Sequence, residues 1–180
     1  MEPACLSLGS NLGRRRDNLR RALELLDEHA GIHLRAVSPV YETEPVGGVE
    51  QPDFLNLAAR AEVELAPEQL LDACLEIEDR LGRVRRQPWG PRLIDIDLLL
   101  VGDHVIASDR LVLPHPHMHL RRFVLEPLAG ITPNTVHPRL GRTVSELLAA
   151  LPPGGPAVRF DRPASAVWSD HRVVHGKERR

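Results

Sequence analysis

The chain has 180 residues, 42% of them hydrophobic and 27% charged, which is enough apolar material for one sizeable core in a single domain and excludes fibrous and wholly disordered classes. Twenty-three basic and 25 acidic residues leave a formal charge of -2, so no global field draws the protein to nucleic acid or an anionic membrane. Lys177 is the only lysine, which excludes a Walker-type nucleotide site and leaves phosphate recognition to arginine forks.

No apolar run approaches the roughly 20 residues of a membrane span, and the acidic start Met1-Glu2-Pro3 does not read as a secretory signal. Cys5 and Cys74 are too few and too far apart for a disulfide framework or a metal knuckle. A cytoplasmic location is expected.

In chain order, the apolar run Ala4 to Leu8 predicts a first strand that stops at the turn formers Gly9-Ser10-Asn11. Asp17, Leu19, Ala22, Leu23, Leu26 and Ala30 recur at helical spacing before Gly31, and Ile32 to Tyr41 reads as a second strand. The stretch Glu44 to Pro52, with two prolines and two glycines, reads as a long mobile loop. A third strand is expected over Phe54 to Leu65. Pro67 then opens a second helix that runs to Gly82. After an arginine-rich loop comes a strong strand, Leu93 to Val101. The order strand, helix, strand, strand, helix, strand predicts an α+β fold, a ferredoxin-like β-α-β-β-α-β sandwich with an antiparallel sheet and a C-terminal extension. Further helices are expected near Arg121 to Leu128 and Val144 to Leu151. These complete a domain of residues 1–151, with a Pro/Gly-rich tail of residues 152–180, extended or disordered.

The chemistry concentrates at Asp95-Ile96-Asp97. Alternation along a strand puts both carboxylates on one face, about 7 Å apart, with Ile94, Ile96 and Leu98 on the other. Immediately upstream, Arg83, Arg85, Arg86 and Arg92 fall in ten residues without an acid, together with Trp89. Two carboxylates facing a cluster of guanidinium groups suit a polyphosphate with bound magnesium, because Mg2+ takes one or two carboxylates and fills its remaining positions with water and phosphate oxygens. His115, His117 and His119 alternate after Pro114 but have no acidic or cysteine ligand nearby, so a phosphate contact from one histidine is preferred to a zinc site.

Gly9-Ser10-Asn11-Leu12-Gly13, Gln51-Pro52-Asp53-Phe54-Leu55-Asn56, Gly82-Arg83-Val84-Arg85, Trp89-Gly90-Pro91-Arg92, Asp95-Ile96-Asp97 and Leu113-Pro114-His115-Pro116 together resemble, in order, the motifs of the 6-hydroxymethyl-7,8-dihydropterin pyrophosphokinases. The resemblance spans roughly Ala4 to Thr132. It implies transfer of pyrophosphate from ATP to the hydroxymethyl group of a reduced pterin, in folate biosynthesis, with AMP released. It also implies two Mg2+ ions held by Asp95 and Asp97, and Arg83 and Arg92 clamping the transferring group. Glu78, Arg85, Trp89, Arg110, His115 and Arg121 would line the nucleotide site. Thr43, Pro45, Val46, Phe54, Asn56, Trp89 and Phe123 would hold the pterin. The partners are then two small molecules, ATP and the pterin, with neither nucleic acid nor membrane, and the enzyme is expected to be a monomer. Pro88 and His117 depart from the arginines common at those positions in the family. Two other readings stand beside this one, a metal-dependent nucleotidyl transferase and an RNA-binding ferredoxin-like domain. Retention on heparin or poly-U, which both predict, separates them from the first.

Overall fold

A computed structural model of the chain describes residues 1–45, 51–82, 91–153 and 158–159. In order, the elements are β1 (Glu2–Ser10), α1 (Arg15–Glu28), β2 (Ile32–Val37), β3 (Tyr41–Thr43), β4 (Phe54–Val63), α2 (Pro67–Arg80), β5 (Asp95–Val101), β6 (Ile106–Ala107), β7 (Val112–Leu113), a single 3-10 turn (Met118–Leu120), α3 (Arg122–Ala129), β8 (Val136–His137), β9 (Arg142–Thr143), α4 (Val144–Ala150) and β10 (Val158–Arg159).

The main sheet runs β5-β1-β4-β3-β10, with β2 also paired to β4, and every pairing is antiparallel. β2 and β3 lie end to end along one edge of β4, so the order is that of the expected split β-α-β sandwich. The amphipathic helices α1 and α2 cover one face. Leu19, Leu23 and Leu26 of α1, with Leu70, Cys74 and Ile77 of α2, pack there on Leu6, Leu8, Leu57, Ile94 and Ile96. Burying each such side chain contributes roughly 1.5–3 kcal/mol. Pro67 takes the first-turn position, where its missing N–H costs no bond, and Gln69 reaches back to accept the Ala66 N–H at 3.0 Å. Gly82, at φ +84°, turns the chain out of α2 in a conformation that other residues resist.

The opposite face is divided. Over one half, α3 and α4 build a second core in which Val124, Leu125, Leu128, Val144 and Leu147 pack on Cys5, Ala58, Leu99 and Leu100. A register shift between Cys5 and Leu6 against β5 lets Leu100 join this second core and returns Val101 to the first. The other half, carrying Ser7, Gly9, Asn56, Asp95 and Asp97, is left uncovered among the described residues and forms the floor of a cavity. The two free cysteines, both buried, lie on opposite sides: Cys74 on α2, facing the first core, and Cys5 under α3 and α4.

Several expectations change. The first strand does not stop at Leu8 but continues through Gly9, paired on both sides, and Ser10, paired with Leu55 of β4. The second strand breaks into β2 and β3 at Ser38-Pro39. There the Ser38 Oγ accepts the Ala58 N–H at 2.9 Å and donates to Pro39 O, so a side chain takes over the ladder where proline brings no N–H. The last strand starts at Asp95 rather than Leu93, because Leu93 O accepts from Ser10 Oγ at 2.6 Å and Asn18 Nδ2 at 2.9 Å. At the tail, Val158 and Arg159 pair with Glu42 and Tyr41, adding an edge strand to the sheet. The central part of the predicted 44–52 loop and most of the arginine-rich loop lie outside the described residues.

Candidate active site

The register of three strands sets out the site. Asp95, Gly9 and Asn56 stand opposite one another across β5, β1 and β4, and Asp97 stands opposite Ser7. With strands about 4.8 Å apart, this row spans roughly 10 Å from a carboxylate to a carboxamide, with a glycine between them. The space above it is a cavity of about 430 Å³, within the range of small-molecule sites.

The β5 side of the cavity is charged. Asp95 and Asp97 are both half-buried while Ile94, Ile96 and Leu98 are buried, as the alternation requires. Arg92 forms an ion pair with Asp95 from three residues upstream. Its backbone is clamped by Asn11. The Arg92 N–H donates to Asn11 Oδ1 at 2.7 Å, and the N–H groups of Asn11 and Leu12 donate to Arg92 O. Behind the two aspartates, the buried Glu78 accepts the Ile96 N–H at 2.7 Å, fixing the edge of β5 between them.

His115 is placed by its own backbone, whose N–H donates to Leu99 O at 2.9 Å on the outer edge of β5. Its Nδ1 accepts the His117 N–H at 3.1 Å, which leaves the ring proton on Nε2. Burial lowers its pKa to about 4, and the neighbouring Arg121 and His117 push in the same direction. The ring is therefore neutral near pH 7. Arg121 lies beside it at the start of α3 and holds its guanidinium carbon 5.7 Å from the centre of the Phe123 ring, a cation–π contact.

The β4 side is aromatic and amide-lined. Phe54 and Phe123 both reach the cavity and are half-buried, neither being closed into a core. Asn56 is buried and donates from Nδ2 to Thr43 Oγ1 at 2.7 Å, so its amide is held in one orientation. Flat rings beside a fixed carboxamide suit a planar heterocycle with an amide edge.

Of the residues singled out in the sequence, Thr43, Phe54, Asn56, Arg92, Asp95, Asp97, His115, Arg121 and Phe123 come together around this one cavity. Glu78 lies behind its floor rather than in it. Arg110 stands apart, exposed and paired with Asp72 on α2. Pro45 is half-buried but does not line the cavity. Val46, Arg83, Arg85 and Trp89 lie outside the described residues. Sequence reasoning missed Ser7, Gly9, Glu44 and Gln51, which also line the space. Gly9 and Gln51 sat inside quoted motifs, while Ser7 is visible only as the residue two before Gly9 on the same strand face.

Among the described residues no three His, Cys, Asp or Glu side chains gather into a metal cage. Two carboxylates opening on a cavity are nonetheless a donor set that suits Mg2+, which draws its remaining ligands from water and phosphate.

Comparison with known proteins agrees with this geometry. The family model for 7,8-dihydro-6-hydroxymethylpterin-pyrophosphokinase matches residues 5–133. The chain is 47% identical over 155 residues to the 2-amino-4-hydroxy-6-hydroxymethyldihydropteridine pyrophosphokinase of Methylorubrum extorquens, covering 86% of this chain and 97% of that one. It is 46% identical over 128 residues to the enzyme of that name from Bacillus subtilis, covering 71% and 77%. The Pseudomonas aeruginosa enzyme of that name is 45% identical over 147 residues, covering 82% and 90%. A crystal structure of Plasmodium falciparum HPPK-DHPS shares the fold at a TM-score of 0.67 and 18% identity, covering 82% of this chain and 43% of that one. The chain thus spans less than half of that longer protein. A match over most of the chain, relatives above 40% identity covered over 77% to 97% of their length and the shared fold lead to one conclusion: the chain belongs to the 7,8-dihydro-6-hydroxymethylpterin-pyrophosphokinase family.

Proposed function

We propose that the cavity is where the chain transfers the terminal pyrophosphoryl group of ATP to the hydroxymethyl oxygen of 6-hydroxymethyl-7,8-dihydropterin, a step of folate biosynthesis. The hydroxymethyl oxygen bonds to the β-phosphorus, the bond from that phosphorus to the oxygen bridging to the α-phosphate breaks, AMP leaves with that oxygen, and the hydroxyl proton is lost. The observation that carries this reading is the two-ended cavity, carboxylates and arginines at the β5 end and aromatic rings with a fixed amide at the β4 end.

In this reading Phe54 and Phe123 stack on the pterin, and Asn56, locked by Thr43, reads its amide edge, with Pro45, Val46 and Trp89 completing that side. Arg92 and Arg83 hold the transferring phosphates. His115, kept neutral, donates from Nε2 to a phosphate oxygen, and Arg121 adds positive charge beside it. Arg85, Arg110 and Glu78 belong to the nucleotide side, where Glu78 acts by holding Ile96 between the two aspartates. Asp95 and Asp97 would hold Mg2+, two ions in the full complex, which when bound offsets charge on the attacking and leaving oxygens. Positioning and charge neutralisation suffice, since loose phosphoryl-type transition states ask little of a general base.

Residues 1–151 form the pyrophosphokinase unit in this reading, and Val158 and Arg159 of the tail, residues 152–180, add an edge strand to its sheet. The enzyme works as a cytoplasmic monomer without nucleic acid. Among the described residues, no helix is long and apolar enough to cross a membrane.

The test is AMP release from ATP and Mg2+, with and without the pterin. Pterin-dependent AMP is expected. A folded sample that binds ATP and releases none would overturn the assignment.

A further inference from the structure

The start of α1 is crowded with arginines, with Asp17 the acid of its first turn. Arg14, Arg15 and Arg16 crowd a helix N-terminus that no side chain caps, where the helix dipole favours acids. Arg14 and Arg16 are exposed, but Arg15 turns inward and keeps only 29% of its side chain in solvent. Its Nη1 donates to Asp53 O at 2.7 Å and stands 2.9 Å from Glu42 Oε1.

Those two partners occupy matching places. Glu42 directly precedes Thr43, and Asp53 directly precedes Phe54. Thr43 and Phe54 are register partners that line the cavity side by side. One guanidinium nitrogen therefore ties together the two chain segments that carry one wall of the site. The restraint matters because β3 has only three residues on β4, and the chain entering β4 at Asp53 lies outside that ladder.

We infer that Arg15 is a positioning residue for the pterin wall. It sets the spacing of β3 against the start of β4, so that Thr43 keeps hold of the Asn56 amide and the Phe54 ring keeps its stacking position. Arg15 does not line the cavity, so it acts through these neighbours and touches neither substrate. The inference rests on the function proposed above, and it places the effect on the pterin rather than on ATP.

A single nitrogen makes both contacts, so a lysine ammonium can replace it and an apolar chain cannot. The experiment compares Arg15→Met, Arg15→Lys and, as control, the exposed neighbour Arg14→Ala, reading kcat, both KM values and the melting temperature. Arg15→Met is expected to raise the KM for the pterin by roughly tenfold, with kcat and the ATP KM within about twofold of the native values. Arg15→Lys should recover most of that loss, and Arg14→Ala should change nothing. An unmoved pterin KM in Arg15→Met overturns the inference. So does an equal rise in both KM values with a fall in melting temperature, which marks a merely structural residue. Native enzyme that releases no pterin-dependent AMP overturns the functional reading, and this role with it. Activity in the native enzyme with unchanged kinetics in Arg15→Met removes the role of Arg15 alone.

Discussion

Gly9 and Asn56 face each other across β1 and β4 with no room for a methyl group between them: a Cβ at residue 9 would stand 2.8 Å from Asn56 Oδ1. The amide could yield only by swinging away from Thr43 Oγ1, which now accepts its N–H. Gly9→Ala is therefore expected to raise the KM for the pterin by roughly tenfold while moving the ATP KM little, because the strain falls at the amide end of the cavity. Steady-state kinetics with each substrate varied in turn checks this, and an equal effect on both would count against a pterin-reading Asn56.

Asp97 is half-buried on the cavity side of β5, opposite Ser7, and packs into neither hydrophobic core. Asp97→Ala is expected to lower turnover by about a thousandfold or more while circular dichroism and the unfolding midpoint stay near native values. The same variant should lose the steep dependence of activity on Mg2+ concentration. Loss of folding instead would make the carboxylate a structural group.

Arg92 is held by Asn11 through its backbone and by Asp95 through its side chain, so its guanidinium is pre-set beside the carboxylates. A contact of that kind is strongest where charge builds up during transfer. Arg92→Ala should therefore reduce kcat by roughly a hundredfold with a much smaller change in ATP affinity, measured by equilibrium binding of a non-hydrolysable analogue. Equal losses in the two quantities would place Arg92 in ground-state binding.

His115 carries a pH signature. Its pKa is lowered from 6.5 to about 4 by burial, with Arg121 and His117 acting the same way, so between those values the unfolded chain binds a proton that the folded chain refuses. Its stabilising contribution is full above about pH 6.5 and is lost as pH falls towards 4. His137 is shifted in the same direction, by burial first and by His119 next. Thermal melts from pH 7 down to 4 should show a falling melting temperature, with a shallower slope in His115→Gln. An unchanged slope would mean that the ring is not buried as described. Activity should show no His115 inflection between pH 6 and 8, since the ring is already neutral there.

The parts of the fold that were legible in the sequence are those set by a single periodicity. The apolar stripes of α1 and α2 and the alternation Ile94, Asp95, Ile96, Asp97 survive almost unchanged, because burial on one face alone decides them. What was not legible depends on a side chain meeting backbone far away in sequence. Ser38 ends β2 by bonding to Ala58, and Leu93 is kept out of β5 by Ser10 and Asn18, whose partners lie 83 and 75 residues apart from it. Gly9 read as a turn former, yet it is paired on both sides near the end of β1, where Asn56 occupies the space that a side chain would need. Glu78 could have been a solvated residue on a helix face; only the packed structure reveals it as a buried acceptor for Ile96. Arg110 shows the opposite limit, since matching a motif position did not bring it to the cavity.

The two cysteines lie on opposite sides of the same sheet, and neither is a thiolate at neutral pH. Burial pushes the Cys5 thiol up to about 12 against the opposing pull of Arg60, and it raises Cys74 as well, helped by the negative charges of Glu78 and Asp97. Each sulfur can meet a reagent only when its own helical layer lifts, α3 and α4 for Cys5, α1 and α2 for Cys74. The chain thus carries two natural clocks, and the ratio of their labelling rates reports which side of the enzyme breathes first and whether a bound substrate quiets the layer beside the cavity or the one behind it.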